Sequence, residues 1–217
     1  MARLRTAILI SGRGSNMQAL IESCRRPSAP AEIVLVLSNN PDAVGLGSAA
    51  KAGIPTAVVD HRAYRDRAAF DAELDRRLRA AGAEFVCLAG FMRLLTQGFI
   101  ERWRDRMINI HPALLPAFPG LDTHARALAA GVRFHGCTVH FVRFETDTGP
   151  IVSQAALPVR PDDTADSLAA RVLTEEHRIY PQALAWIAEG RVRIAGERAT
   201  VDGAAVPPAG LISPAPA

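Results

Sequence analysis

Residues 6–24, TAILISGRGSNMQALIESC, decide how the chain is read. A short apolar run, TAILI, stops at two glycines in GRGSN, and MQALIESC resumes with Met17, Leu20 and Ile21 on one helical face. Strand, glycine turn and helix in that order open an α/β fold. The alternation recurs downstream. EIVLVLS (32–38) is a second buried strand, NNPD turns the chain, and AVGLGSAAKAG reads as a helix with Gly53 placed for a left-handed C-cap. TAVV (56–59) is a third strand, and a long amphipathic helix comes next, from about Tyr64 to Ala81, with Phe70, Leu74 and Leu78 at four-residue steps. FVCLAG (85–90) and MINI (107–110) add two strands around a helix near TQGFIERW. Strands separated by helices in this way define an α/β fold with a doubly wound, mostly parallel sheet covered on both faces.

The second half changes character. CTVHFVRF (137–144) alternates apolar and polar residues, and IVSQAALPV (151–159) pairs with it across the turn ETDTGP as an antiparallel extension. A last helix begins near Asp166, carries Leu168, Val172 and Leu173, and meets Pro181, where it should kink or restart. RVRIAGERATVDG reads as a small hairpin, and AAVPPAGLISPAPA as a Pro/Ala-rich tail lying loosely on the surface. No repeat or composition break divides residues 1–203, so a single domain is expected, with the tail at 204–217 after it.

Composition narrows the class. With 217 residues and 49% hydrophobic content, the chain can close one core without disulfides or metal. Cys24, Cys87 and Cys137 are odd in number and form no CxxC, which suits reduced core residues. Apolar runs fall short of the roughly eighteen residues of a bilayer span, and the N-terminus turns polar too soon for a secretory signal, so a cytoplasmic protein without a membrane partner is expected. The net charge of +3 comes from arginines interleaved with Asp and Glu, which gives no support to a nucleic-acid partner.

Three segments carry chemistry. In GRGSN the glycines permit a tight turn, Ser15 and Asn16 are good helix N-caps, and free amides there would suit a phosphate; an ordinary capped turn fits equally well. The segment lacks the Lys-Ser/Thr of a nucleoside triphosphate loop and the third glycine of a dinucleotide fingerprint. INIHPALLPAFPG (108–120) ends a strand on Asn109 and His111, two residues apart and therefore on one side of the sheet, and three prolines stiffen the loop beyond them. An amide donor and an imidazolium so placed can stabilise an oxyanion, or can be a satisfied structural pair. Asp147, in ETDTGP, could orient the imidazole if that turn folds over the same cleft, and is equally ordinary turn chemistry. His124, His135 and His140 match no common zinc spacing, so no metal is expected, and His140 reads as an interstrand residue.

As a set, these segments are similar to the folate-dependent formyltransferases. ISGRGSN, SNNPDAVGL, LAGFMRLL, INIHPALLPAFPGLDTHARAL, HGCTVHFV, DTGPIVSQ and TEEHRIYPQAL occur in the family's order and span Thr6 to about Val192. GRGSN and TEEHRIYP point to the glycinamide ribonucleotide branch. The resemblance implies a Rossmann-like formyltransferase fold that moves a formyl group from 10-formyltetrahydrofolate, the co-substrate, to the amine of 5'-phosphoribosylglycinamide. It implies Asn109, His111 and Asp147 as the catalytic set, and Gly14, Ser15, Asn16, Arg67 and Glu176 as the ribonucleotide site. Met92, Arg93, Leu94 and Leu95, with Asn109 and the turn residues Arg143, Phe144, Glu145 and Asp147, would receive the folate. It further implies a phosphate half at about 1–100 and a folate and catalytic half at about 101–203, with small-molecule partners and a monomer or homodimer. The competing readings are a formyltetrahydrofolate hydrolase, a methionyl-tRNA formyltransferase, which would need an RNA-binding domain, and a non-catalytic phosphate-ligand module on the same fold.

Overall fold

The computed structural model describes residues 2–205 and 210–213. Residues 206–209 and 214–217 lie outside the described residues, and so does most of the surface course read for the tail.

The opening unit is as the sequence spells it: β1 (Leu4–Ile10), a glycine turn and α1 (Ser15–Cys24). Then come β2 (Ala31–Ser38), α2 (Val44–Lys51), β3 (Thr56–Val58), α3 (Arg67–Ala80), β4 (Phe85–Leu88), α4 (Gln97–Arg102) and β5 (Met107–His111). The second half holds α5 (Thr123–Ala129), β6 (Phe134–Phe141), β7 (Ile151–Pro158), α6 (Ala165–Ala188) and the hairpin β8 (Val192–Ala195) and β9 (Arg198–Val201). Among the described residues the main sheet is ordered β3-β2-β1-β4-β5-β6-β7. Its first five strands are parallel, and β6 and β7 continue it antiparallel. The chain leaves β1 toward β2 and returns on the other side at β4, which opens a crevice at the carboxyl ends of β1 and β4, where open α/β sheets take ligands.

Strand alternation sorts the sheet into two cores. Ile8, Ile10, Ile108 and Ile110 pack with Met17 and Leu20 of α1 and Leu168, Val172 and Tyr180 of α6. Ala7, Leu9 and Met107 pack with Phe70, Leu74 and Leu78 of α3 and Phe99 of α4. Each leucine buried in this way contributes about 1.5–3 kcal/mol. Because Met107 faces the second core, Asn109 and His111 also lie on that face, as their spacing requires. Burial pushes the Cys137 thiol up to about 12 and raises Cys24 and Cys87 as well, so all three are free, unreactive core residues.

The structure corrects the sequence reading at four places. Helix α3 starts at Arg67 rather than near Tyr64, because Asp66 is extended and its side chain accepts from Ala69 N–H as the N-cap. Strand β6 begins and ends three residues before the expected 137–144, and it is buried on nearly every residue, since it sits between β5 and β7 instead of presenting a wet face. Helix α6 neither stops nor restarts at Pro181: its hydrogen-bonded turns run to Ala188, and Tyr180, Ala183 and Leu184, buried on either side of the proline, outweigh one missing donor. Helix α5 is an addition with little local signal, being seven residues long and lacking a side-chain cap.

Candidate active site

The glycine turn differs from the expected cap in an informative way. The N-cap of α1 is Gly14, in the left-handed region at φ 74°, and no side chain caps the helix; Ser15 and Asn16 are its first residues. The first-turn amides are therefore left for a ligand, and residues 11–16 line a cavity of about 270 Å³ together with Ala89, Gly90 and Met92. The loop is backed by α2, where Gly45 N–H donates to Gly12 O at 3.0 Å. Asn16 turns its side chain away from the cap, and its Nδ2 donates to Glu176 Oε2 of α6 at 2.6 Å. Its Oδ1 is buried without a partner among the described residues.

Burial raises the Glu176 carboxyl above its ordinary value against the opposing Asn16 hydrogen bond. The folded chain thus holds this proton more tightly than the unfolded chain. Glu176 costs no stability below the ordinary carboxylate pKa, and its burden grows as pH rises through the raised value. The Glu176→Gln protein should therefore melt higher than the parent at pH 8, by roughly 2–4 °C for each kcal/mol relieved, and at about the same temperature at pH 4. Thermal denaturation across pH checks this, and a melting gain at pH 4 as large as that at pH 8 would contradict it.

Asn109, His111 and Asp147 are brought together. His111 Nδ1 lies 3.3 Å from Asp147 Oδ2, and its Nε2 lies 2.9 Å from the carbonyl of Phe118. Both ring nitrogens face acceptors, an arrangement fully satisfied only by the imidazolium. Asp147 also accepts from Gly120 N–H at 2.8 Å. Burial opposes its ionisation, but contacts from His140, Gly120 N–H and His111 together outweigh burial and hold the carboxyl below its usual value. His140 is the member that sequence reading missed. It stands directly opposite Asn109 across the β5–β6 ladder, its Nδ1 meets Phe141 O at 3.0 Å, and its Nε2 lies 3.3 Å from Asn109 Nδ2 and 3.6 Å from Asp147 Oδ1. Its Nε2 thus stands between the Asn109 amide and the Asp147 carboxylate and ties the position of one to the other. The clue lies in the strand alternation: if Val139 and Phe141 face the core, His140 must share the face of Asn109.

A second cleft, of about 230 Å³, is lined by Arg67, Leu88, Phe91, Arg93, Leu94, Leu95, Asn109, His140, Val142 and the turn from Arg143 to Asp147 excepting Glu145. Three expected folate residues are distributed differently. Met92 lines the phosphate cavity, so the segment 92–95 divides its side chains between the two cavities. Glu145 is exposed and outside the cleft lining, and the buried Arg143 guanidinium turns to Asp105 and Glu197. Arg67, expected at the ribonucleotide, lies in this second cleft with Arg93. The segment is pinned by Ser11, whose Oγ accepts from Met92 N–H at 2.7 Å and donates to Asn39 Oδ1 at 2.5 Å. A larger hollow than either, about 520 Å³ between α1, the segment following it and α6, contains none of these groups, so volume alone does not mark the site. His124 Nδ1 and His135 Nε2 are 3.2 Å apart, and burial takes the His135 imidazole down to about 4. No group of three or more potential metal ligands occurs among the described residues. Nor is any described helix long and apolar enough to cross a membrane.

An amide and an imidazole beside an uncapped helix N-terminus, on one doubly wound sheet, are the groups that a group-transfer enzyme acting on a carbonyl next to an anionic ligand requires. Comparison with known proteins is more specific. The Formyl transferase family model matches residues 4–184. The chain is 43% identical to the phosphoribosylglycinamide formyltransferase of Escherichia coli over 95% of its own length and 98% of that protein. It is 50% identical to the trifunctional purine biosynthetic protein adenosine-3 of Bos taurus over 88% of its length, but spans only 19% of that longer chain. Its fold superposes on glycinamide ribonucleotide transformylase 1 from Symbiobacterium toebii with a TM-score of 0.89 and 48% identity, covering 92% of this chain and 94% of that one. The chain belongs to the formyl transferase family, in its phosphoribosylglycinamide formyltransferase branch.

Proposed function

We propose that this enzyme transfers the formyl group of 10-formyltetrahydrofolate to the amine of 5'-phosphoribosylglycinamide, the formylation step of purine synthesis. The observation that carries the reading is the His111 imidazole, buried behind the cleft and held between two acceptors, with Asn109 and Asp147 at the wall of that cleft beside a phosphate-type cavity. The ribonucleotide phosphate sits on the amides of Gly14, Ser15 and Asn16, and Glu176, which Asn16 holds next to that loop, faces the ribonucleotide. The folate lies against Arg93, Leu94, Leu95 and Phe144, and the placement of Arg67 beside Arg93 suits the donor's carboxylates better than the ribonucleotide. Residues 1–203 act as one domain, and the two sites draw on both halves of the chain: Arg67 and residues 93–95 join the turn at 143–147 around the folate, and Glu176 joins the glycine loop at the ribonucleotide. The enzyme works in the cytoplasm on small molecules alone, as a monomer or homodimer.

The unprotonated amine attacks the formyl carbon on N10, forming a C–N bond and a tetrahedral oxyanion. Asn109 donates to that oxygen, and His111 Nε2 exchanges the Phe118 carbonyl for it. Asp147 keeps His111 charged and, through a water, passes the ammonium proton to N10; the C–N10 bond then breaks and tetrahydrofolate leaves. Anchoring the phosphate places amine and carbonyl in near-attack geometry. The test mixes purified protein with 10-formyltetrahydrofolate and glycinamide ribonucleotide and monitors deformylated folate. Release that requires the ribonucleotide supports transfer; release without it supports a hydrolase, and no release supports a binding module.

Gly45 offers a test of the phosphate loop. A Cβ there would lie 3.0 Å from Gly12 O and 3.1 Å from Arg13 O, backbone atoms of the loop itself. Gly45→Ala should raise the ribonucleotide KM by at least about tenfold and leave the folate KM near its parent value, because displacing the loop by a fraction of an ångström weakens anchoring more than it disturbs chemistry. Steady-state kinetics with each substrate varied in turn reads the split.

A further inference from the structure

We propose that the β8–β9 hairpin sets the wall of the folate cleft, acting through an Arg143–Glu197 clamp, and that Arg143 and Glu197 are positioning residues for donor binding. This rests on the formyl-transfer reading of the cleft. Arg143 opens the turn whose residues Phe144, Thr146 and Asp147 line that cleft. Its side chain is only 7% exposed, yet its guanidinium faces away from the ligand space. Nη2 pairs with Asp105 Oδ1 at 2.8 Å, Nε pairs with Glu197 Oε2 at 2.9 Å, and Nη1 donates to Val142 O at 3.2 Å. The other oxygen of Glu197 takes Arg104 at 3.3 Å.

The network therefore ties together three elements that approach the site from different directions. Arg104 and Asp105 lie just before β5, which carries Asn109 and His111. Arg143 lies just after β6, which carries His140. Glu197 sits at the hairpin tip, and the hairpin itself is anchored by Val192, Ile194 and Val201 packing on the core shared with α6. This hairpin lies beyond residues 4–184, the part matched by the family model, so the chain uses a segment outside that match to fix a cleft wall. A guanidinium occupied by two carboxylates is no free cation for a ligand, so its contribution is geometric. Asp147 is held separately by Gly120, His111 and His140, so loosening the clamp should widen the folate wall without dismantling the catalytic set.

The experiment compares Glu197→Gln, a change at a half-exposed side chain that leaves the fold intact, and Arg143→Met, with both substrates varied. Each variant should raise the donor KM by about tenfold, the equivalent of one charge-assisted hydrogen bond, with kcat and the ribonucleotide KM within about threefold. The double variant should rise no further than the worse single one, since the two residues act as one unit. Arg193→Ala, which removes the exposed Arg193–Asp202 pair at the other end of the hairpin, should change nothing. An unchanged donor KM in Glu197→Gln overturns the proposal, and so does an equal rise in both KM values. Calorimetric binding of tetrahydrofolate to the same proteins should show the same tenfold loss, and reads the clamp even if no transfer is detected, so failure of the clamp and failure of the transferase reading remain separable.

Discussion

Asp147→Asn should lower kcat by about a hundred- to a thousandfold, with both KM values changed only a few-fold. Asparagine can still accept from Gly120 N–H through its carbonyl oxygen, so the turn keeps its place. That same oxygen faces His111 Nδ1, so the amide nitrogen takes the other position, toward His140 Nε2. His111 keeps an acceptor on each ring nitrogen but stands beside a neutral amide in place of a carboxylate. The variant thus preserves geometry but removes the negative charge beside the imidazole that faces the developing oxyanion, and it removes the carboxylate that relays the proton. The pH dependence gives a second readout. Contacts hold the Asp147 carboxyl below its ordinary value, so its contribution to stability is complete above the ordinary carboxylate pKa and is lost as pH falls through the depressed value. The stability gap between parent and variant should be widest near neutral pH and should close on acidification. Steady-state rates with melting curves across pH decide the matter, and an unchanged kcat would remove Asp147 from the mechanism.

The order of strands and helices is legible in the sequence because it depends on short-range rules. TAILI, EIVLVLS, FVCLAG and MINI are apolar runs too short for helices and bounded by turn residues, and each is a strand of the parallel sheet. Gly53 adopts the left-handed φ of 78° that its position after α2 suggests. The features that escape such rules are decided at longer range. Pro181 reads locally as a break, but Tyr180 is fully buried and its hydroxyl reaches Leu88 O at 2.9 Å and Ile108 O at 3.2 Å, a tie between helix and two strands that no local rule contains. Strand β6 looks half-exposed in sequence because its polar residues alternate; they are buried because each meets protein and not water, His140 at Asn109, Thr138 at the backbone of Ala113 and Leu115, and His135 at His124.

The site shows the same division. Strand periodicity alone puts Asn109 and His111 on one face, and the glycines alone suggest an anion loop. That Asp147 meets His111 depends on the turn after β6 folding over the end of β5, and that Asn16 meets Glu176 depends on α6 crossing α1, contacts 36 and 160 residues apart in the chain. His140 is hidden from sequence for a related reason. Its role is set by the β5–β6 register, which pairs it with Asn109, and a shift of one residue would have turned it into the core. Arg67 and Met92 illustrate a limit of motif matching: the motif identifies the residues, but which of two adjoining cavities they face is settled by packing.

Gly149→Ala should be nearly as damaging as loss of a catalytic group, although Gly149 touches no substrate. Its requirement is steric and not conformational, since its φ is not left-handed; a Cβ would lie 1.9 Å from Phe141 O, 2.9 Å from Phe141 C and 3.0 Å from Arg143 Cγ. No rotamer relieves a clash at Cβ, so the turn must move away from β6. Asp147 is two residues upstream and moves with it, and a shift of about 1 Å at a positioned group costs on the order of a hundredfold in rate. Overpacking of this kind also costs about 1–3 kcal/mol of stability, which could by itself reduce measured activity. Gly136→Ala separates the two effects. Its Cβ would lie 1.8 Å from Ala155 O in the β6–β7 ladder, a clash of equal severity placed away from Asp147. Both variants should lose comparable stability by chemical denaturation. Per folded molecule, Gly149→Ala should lose at least about a hundredfold in kcat/KM and Gly136→Ala less than about tenfold. Equal losses would mean that the tight approach of the turn to Phe141 serves the fold alone, and that Asp147 finds His111 without it.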